Sequence, residues 1–424
     1  MATMDFGGVM EEVVTREEMS LTRARSILKG EVVGILGYGP QGQGQGMNLK
    51  DNGIKVIIGQ RKGGRGWQDA IQDGWVEGKN LFDNIADVVD RSTMIEYLLS
   101  DAGQKEQWPV VSAHLRQGQA LCFSHGFSVV YREQTQVVPP PGVDVVLVAP
   151  KGAGRTVRAN FLAGSGINSS FAVHQDATGH ARERVIALGK AIGSGYLFPT
   201  TFENEVFSDL TGERGVLLGA IAGLMKAQYE TLRAMGHTPS EAFNETVEEA
   251  TQSLYPLMGK NGVDWMIASC STTAQRGALD WSKRFEDAVR PVMSALYQSV
   301  RSGEETRRVL ETCGAPDYRE RLEAELDGWR NSEMWKVGAT VRALRPENWA
   351  APKSGVRQKS ARGAKPSLQE KPAQKKNTAK QAKPGPKRKT ANRPASRASQ
   401  QKSASSRLST AAKAGGKQKQ GRKR

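Results

Sequence analysis

The sequence predicts a doubly wound α/β domain, then an all-α domain, then a tail that cannot fold. Three observations carry this. Short apolar runs alternate with polar-periodic segments in the first half, apolar residues recur at helical spacing after Thr201, and aromatic residues vanish beyond Trp349.

The apolar runs, in order, are VVGIL (32–36), KVIIG (55–59), TMIEYLL (93–99), ALCFS (120–124), VDVVLVA (143–149) and FAVHQ (171–175). Each is too short for a buried helix and rich in β-branched or aromatic residues. Near-continuous apolarity means burial on both faces, as in a parallel sheet. Helical candidates lie between the runs, for example at 104–116 and 180–192, and this alternation signals an α/β domain. From Phe202 to Gly236 the spacing turns helical. A second helix start is marked by Thr238 as N-cap, Pro239 at the first helical position and Glu241 three residues after Thr238. Further helical patterns run through 279–301 and 316–345. The expected organisation is an α/β domain over 1–200, an all-α domain over 201–348 and a tail over 349–424.

Charge follows the same division. The 424 residues include 60 Lys and Arg against 44 Asp and Glu, a formal net charge of +16. Residues 351–424 hold 23 of those bases and one acid, Glu370, so this tail carries +22 and the first 350 residues carry −6. A mildly acidic body excludes a general nucleic-acid-binding surface on it. The tail has six prolines and no aromatic residue. It cannot bury enough apolar area to offset chain entropy and is expected to be disordered. Its basic composition suits phosphate neutralisation, which makes nucleic acid a candidate partner of the tail. A solvated extension is the alternative.

Other bounds follow. The body exceeds the ~250–300 residues at which one core stops growing, so two domains are expected. Cys122, Cys270 and Cys313 are odd in number and lack metal spacing, which suits a reducing compartment. No apolar run approaches the ~20 residues of a membrane span. The N-terminus, MATMDFGGVMEEVV, has neither a basic n-region nor an apolar h-region. A cytoplasmic, enzyme-like body is the expectation. Cys122 and Cys270 are read as small core residues, and His174 and His180 as capping or packing groups.

VVGILGYGPQGQGQGMNL sets Gly37, Gly39 and Gly42 in GxGxxG spacing, directly after a strand and before a helix. The first glycine permits the tight turn, the second lets a pyrophosphate approach the backbone, and the helix N-terminus supplies donors and positive dipole. Gly37, Gly39, Gln41 and Gly42 are therefore candidate cofactor-binding residues of a Rossmann-like domain. The second strand ends in IIGQRKGGRGW. An NAD enzyme usually places an acid there for the ribose diol; this chain offers Arg61, Lys62 and Arg65, and cations suit the 2′-phosphate of NADP. A solvated basic loop is the alternative.

The helical part carries two acid pairs at i, i+4 spacing: Asp209 with Glu213, and Glu245 with Glu249. Residues four apart on a helix share a face. Such pairs are commonplace on solvated helices, and Glu248 is acidic but lies about 100° off that face. Two pairs brought together would place four negative charges in one pocket, which two Mg²⁺ ions would balance, and oxygen-only donors suit Mg²⁺ rather than zinc.

The motifs GYGPQGQGQGMNLKDNG, FSHGF, VLVAPKG, SDLTGERG, NETVEEATQSL, CSTTAQRGALDW and MWKVGATVRALRPEN occur in this order. On them the body, from about Phe6 to Asn348, resembles the ketol-acid reductoisomerase (acetohydroxyacid isomeroreductase) family. AFNETVEEATQSLYPL and CSTTAQRGALDW look nearest to a subgroup found in fungi and Bacteroidetes-type bacteria. The resemblance implies two Mg²⁺ ions and NADPH, with Asp209 and Glu213 as the first metal carboxylates and Glu245 and Glu249 as a second pair supplied by the partner subunit of a homodimer or higher oligomer. It also implies that Ser271 binds the substrate carboxylate, that His125 and Lys151 are polar residues on the Rossmann side of the cleft, and that the helical domain is knotted. The general base stays open between Glu213, a bound hydroxide and another group. Family members often carry serines where this chain has Gly63, Gly64, Arg65 and Gly66, so the NADPH expectation rests on Arg61, Lys62 and Arg65. The rival class, a Rossmann/helical dehydrogenase of the 6-phosphogluconate or hydroxy-acid group, has no need of two acid pairs.

Overall fold

The computed structural model describes residues 1–348; the tail expectations, disorder and a nucleic-acid partner alike, lie outside the described residues. β1 (Ala2–Asp5) and β2 (Met10–Val13) form an antiparallel hairpin. The main sheet comprises β3 (Val32–Leu36), β4 (Lys55–Gly59), β5 (Leu81–Phe82), β6 (Met94–Tyr97), β7 (Ala120–Phe123), β8 (Asp144–Pro150), β9 (Ile167–Gln175) and β10 (Ser194–Pro199). Its order is β10-β9-β8-β7-β6-β3-β4-β5. The chain passes from β3 to β4 on one side and returns to β6 on the other. The crevice beyond the strand ends at that switch point is where an α/β sheet takes its ligand.

Alternate residues along the central strands feed two cores, as the two-residue strand period requires. Met94, Cys122, Val146 and Val148 enter one apolar cluster, while Ile95, Leu121, Leu147 and Ala149 enter the other. Both faces are therefore covered, as the apolar runs predict. Two strands depart from the parallel expectation: β9 runs antiparallel to β8, and β10 runs parallel to β9 at the sheet edge. The apolarity of FAVHQ reports burial on two faces, whereas strand direction is set by the connection, here the helix Gly154–Leu162. β6 also buries Glu96 beside Cys122 of β7, with Oε2 lacking a hydrogen-bond partner. Burial pushes this carboxyl up to about 8. His174 packs its ring 5.2 Å from that of Phe202, and His180 occupies the N-cap position of the helix Ala181–Ala191 without a side-chain capping bond. Cys122 is buried and Cys270 half-buried; all three thiols are free.

The helical part opens with Phe202–Gly212, passes through a kinked π turn at Glu213–Leu217 and continues as Gly219–Ala234. At the next start the capping box forms as its residues require: Thr238 and Glu241 exchange two 3.3 Å bonds. The longest helix, Thr272–Arg301, follows, and the 316–345 pattern resolves into two helices, Tyr318–Arg330 and Glu333–Leu344. Apart from Phe202, which enters a sheet core, apolar burial here lies mainly in two small clusters. One, with Phe127, Tyr131, Val206, Leu210 and Val300, joins the helices to the segment that follows β7; the other holds Tyr229, Phe243, Val247 and Met334. By contrast Trp281 is 54% exposed, Phe285 55% and Val292 63%, all on one face of Thr272–Arg301. Among the described residues, no helix is long and apolar enough to cross a membrane.

Candidate active site

The glycine loop after β3 leads into the helix Pro40–Asp51. Gly37 has φ +103°, and a Cβ there would sit 2.8 Å from the Leu98 carbonyl oxygen. A Cβ on Gly42 would lie 2.1 Å from the carbonyl oxygen of Gly37, so this glycine lets the helix close on the strand; one on Gly39 would meet nothing. No side chain caps this helix, and its first N–H groups are left for a ligand. Gln41 donates to the Gly152 carbonyl (3.0 Å), tying this loop to the one after β8.

At the end of β4, Gln60 accepts a 2.7 Å bond from the Tyr38 N–H. Of the three loop cations, Lys62 is ion-paired with Glu77, Arg65 lies 3.7 Å from Asp69, and Arg61 is exposed with no carboxylate partner among the described residues.

A cleft of about 830 Å³ opens between the sheet and the helices, lined by Gln41, Ser124, His125, Lys151, Asp209 and Glu213. His125 follows β7, Lys151 follows β8, and the two carboxylates sit at the end of Phe202–Gly212 and the start of the π turn. They are organised around a residue that spacing arguments passed over. Glu205, buried to 1% side-chain exposure, lies 3.1 Å from His125 Nδ1 and accepts from Lys151 Nζ (3.2 Å) and the Gly126 N–H (3.2 Å). His125 Nδ1 is also 3.3 Å from Asp209. A signal was available: Glu205, Asp209 and Glu213 continue one i, i+4, i+8 row of acids.

The charges of this group are interdependent. Burial alone would lower the His125 imidazole, but its bond to Glu205 and the charges of Glu205, Asp101 and Asp209 outweigh that and lift it to about 9. Glu205 is held low against its own burial by His125 and Lys151. Burial raises Asp209, and raises Glu213 with a further push from the Asp209 carboxylate. His125 and Glu205 thus satisfy each other, while Asp209 and Glu213 remain two desolvated acids without an equal share of positive charge. Such a pair fits a divalent cation held by oxygen donors. Asp101, the first residue of the helix Asp101–His114, is a further acid at the cleft wall, raised by burial.

The other predicted site residues stand elsewhere. Glu245, Glu249 and Ser271 are exposed and do not line this cleft; Ser271 serves as N-cap of Thr272–Arg301, accepting from the Ala274 N–H at 3.3 Å. A second pocket, of about 520 Å³, lies beside Lys226, Arg233, Trp329 and Glu333. Its Lys226 and Arg233 are paired with Glu230 and Glu333, so the reactive groups belong to the larger cleft.

Residues 27–196 match the family described as acetohydroxy acid isomeroreductase, NADPH-binding domain, and residues 202–347 match ketol-acid reductoisomerase, C-terminal domain. The chain is 64% identical over 348 residues to the "Ketol-acid reductoisomerase (NAD(+))" of Desulfosudis oleivorans, covering 82% of this chain and 99% of that one. It is 59% identical over 346 residues to the "Ketol-acid reductoisomerase, mitochondrial" of Neurospora crassa, covering 82% and 86%. Among solved structures, an NADH-preferring ketol-acid reductoisomerase from an uncultured archean superposes with a TM-score of 0.71 at 31% identity, covering 78% of this chain and 99% of that one.

Proposed function

The chain belongs to the ketol-acid reductoisomerase family, and on that premise we propose that it converts 2-acetolactate or 2-aceto-2-hydroxybutanoate into the 2,3-dihydroxy acid, as a step of valine and isoleucine synthesis. Residues 1–200 bind the dinucleotide and 201–348 bind metal and substrate. The observation that carries the reading is the pair of desolvated carboxylates, Asp209 and Glu213, beside the buried His125–Glu205–Lys151 group.

The reaction removes the proton of the tertiary hydroxyl, moves the alkyl group to the neighbouring carbonyl carbon and reduces the resulting 2-keto acid with hydride from the nicotinamide. Asp209, Glu213, Glu245 and Glu249 would hold two Mg²⁺ ions, which when bound supply Lewis acidity to oxygens that gain negative charge. Glu205 fixes the imidazole of His125 with its proton at Nδ1 and takes one of the three donors of the Lys151 ammonium. The remaining Lys151 donors are free for a substrate oxygen. Ser271 would hold the substrate carboxylate.

Glu245, Glu249 and Ser271 are exposed in the single chain, and so is the apolar face of Trp281, Phe285 and Val292. Both facts support a homodimer in which each cleft is completed by the partner.

The proposed dinucleotide is NADPH, through Arg61. Because Lys62 and Arg65 are already paired with acids, and the Desulfosudis oleivorans relative is named for NAD(+), the expected margin over NADH is at most about tenfold. The proposed compartment is the cytoplasm, which suits three free thiols. One assay tests the reading: cofactor oxidation with 2-acetolactate, with and without Mg²⁺, for NADPH and NADH. Oxidation should require both 2-acetolactate and Mg²⁺. Turnover that survives chelation of Mg²⁺ would sink the metal assignment.

A further inference from the structure

The segment bearing Glu245 and Glu249 is not an ordinary α-helix. After Pro239–Phe243 the chain forms two π turns, Asn244–Glu248 and Ala250–Leu254. A π turn holds one residue more than an α turn, is rare, and persists where neighbouring groups hold it. Three ties converge on this one. Arg345, just past the helix Glu333–Leu344, grips Glu248 with a two-pronged bond, Nε to Oε1 at 2.7 Å and Nη2 to Oε2 at 2.8 Å. Gln252, with its amide oxygen turned to the same guanidinium, accepts at 2.8 and 3.0 Å. Gln228, on Gly219–Ala234, donates to the Glu245 carbonyl at 3.0 Å.

The Arg345 and Glu248 side chains are 21% and 16% exposed, so water screens their bond far less than a surface ion pair. Glu248 stands between Glu245 and Glu249 in the chain. Holding it fixes the rotation of the turn that presents both carboxylates. Relaxation of one π turn to α would shift the following residues by one helical position, about 100°.

We propose that Arg345 is a positioning residue for the Glu245/Glu249 metal carboxylates, acting through Glu248 and Gln252. The inference rests on the reading of Glu245 and Glu249 as metal-binding groups. It predicts an effect on metal affinity that a simple tie between helices would not have. Groups that orient metal ligands change affinity by about 10–100-fold when removed.

The test is Mn²⁺ binding to the full-length protein, followed by loss of the free-Mn²⁺ electron-spin-resonance signal, with dinucleotide binding followed by fluorescence. Arg345→Ala and Glu248→Gln should each weaken Mn²⁺ binding about tenfold or more while dinucleotide affinity stays unchanged. Arg345→Lys, which keeps the charge but not the fork, should fall between them and wild type. If Arg345→Ala does not fold, Glu248→Gln carries the measurement. Wild-type Mn²⁺ affinity in Glu248→Gln, with Glu245→Gln impaired, overturns the positioning role and spares the metal reading. Wild-type affinity in Glu245→Gln overturns both.

Discussion

The sheet-bearing half and the helical half of this chain handle burial in opposite ways. In the first, alternate residues of the central strands enter one of two cores, and little of the apolar pattern is left over. In the second, Phe202 enters a sheet core and small clusters around Val206 and Phe243 make up most of the remaining apolar burial. Trp281, Phe285 and Val292 stay open along one face of the longest helix. The acids divide in the same manner: Asp209 and Glu213 sit in the cleft against the sheet, while Glu245 and Glu249 face outward. On the proposed reading the first half is finished within one chain, and the second is finished only by another copy.

The largest expected effect breaks or secures that contrast directly. Asp209→Asn and Glu245→Gln should each lose turnover by at least about 10³-fold, since a metal carboxylate contributes several kcal/mol to the transition state. Co-expressed, they should recover about a quarter of wild-type activity, because half the dimers are mixed and each mixed dimer has one intact site of two. No recovery in purified mixed dimers would mean that the two pairs do not meet across the dimer. A smaller effect probes the sheet side of the cleft. Glu205→Gln leaves His125 and Lys151 without the carboxylate that orients both, and turnover should fall on the order of 10²-fold with dinucleotide KM little changed. Wild-type turnover would remove Glu205 from the site.

The smallest effect is one of stability and belongs to the sheet half alone. Glu96 titrates at about 8 in the folded protein, above the ordinary 4.5. Its neutral form therefore adds stability that is complete below pH ~4.5 and lost as pH rises through ~8. Between pH 5 and 8 the unfolding free energy of wild type should fall by about 3 kcal/mol more than that of Glu96→Gln, read as a steeper drop of the thermal midpoint. Parallel curves would show that Glu96 does not titrate in this way.

What the sequence disclosed follows the same physical line. Strands buried on both faces advertise themselves as apolar runs, and so do β3, β4 and β6 to β9. The hairpin ATMD/MEEV is largely exposed, and SGYLFP of β10 is half-exposed with glycine and proline at its ends, so neither stood out. Spacing found Asp209 and Glu213. Glu205 was hidden because its partners lie 80 and 54 residues away, and its own neighbourhood, FENEV, is acid-rich. For Glu245 and Glu249 spacing gave a shared face, but no local signal says which copy's cleft that face meets.

The π turns have a consequence for how such a chain can drift. An exposed loop absorbs the loss or gain of a residue at little cost. In Asn244–Glu248 or Ala250–Leu254, deleting one residue would leave a better helix than before, with every backbone bond restored to α spacing. The helix beyond the cut would keep its facing, because the wide turn had taken up the extra residue, but the carboxylates carried by the turn would be re-aimed relative to each other. A deletion there would raise local helical order and disable the site together. This stretch should thus tolerate substitutions on its outer face while keeping its length.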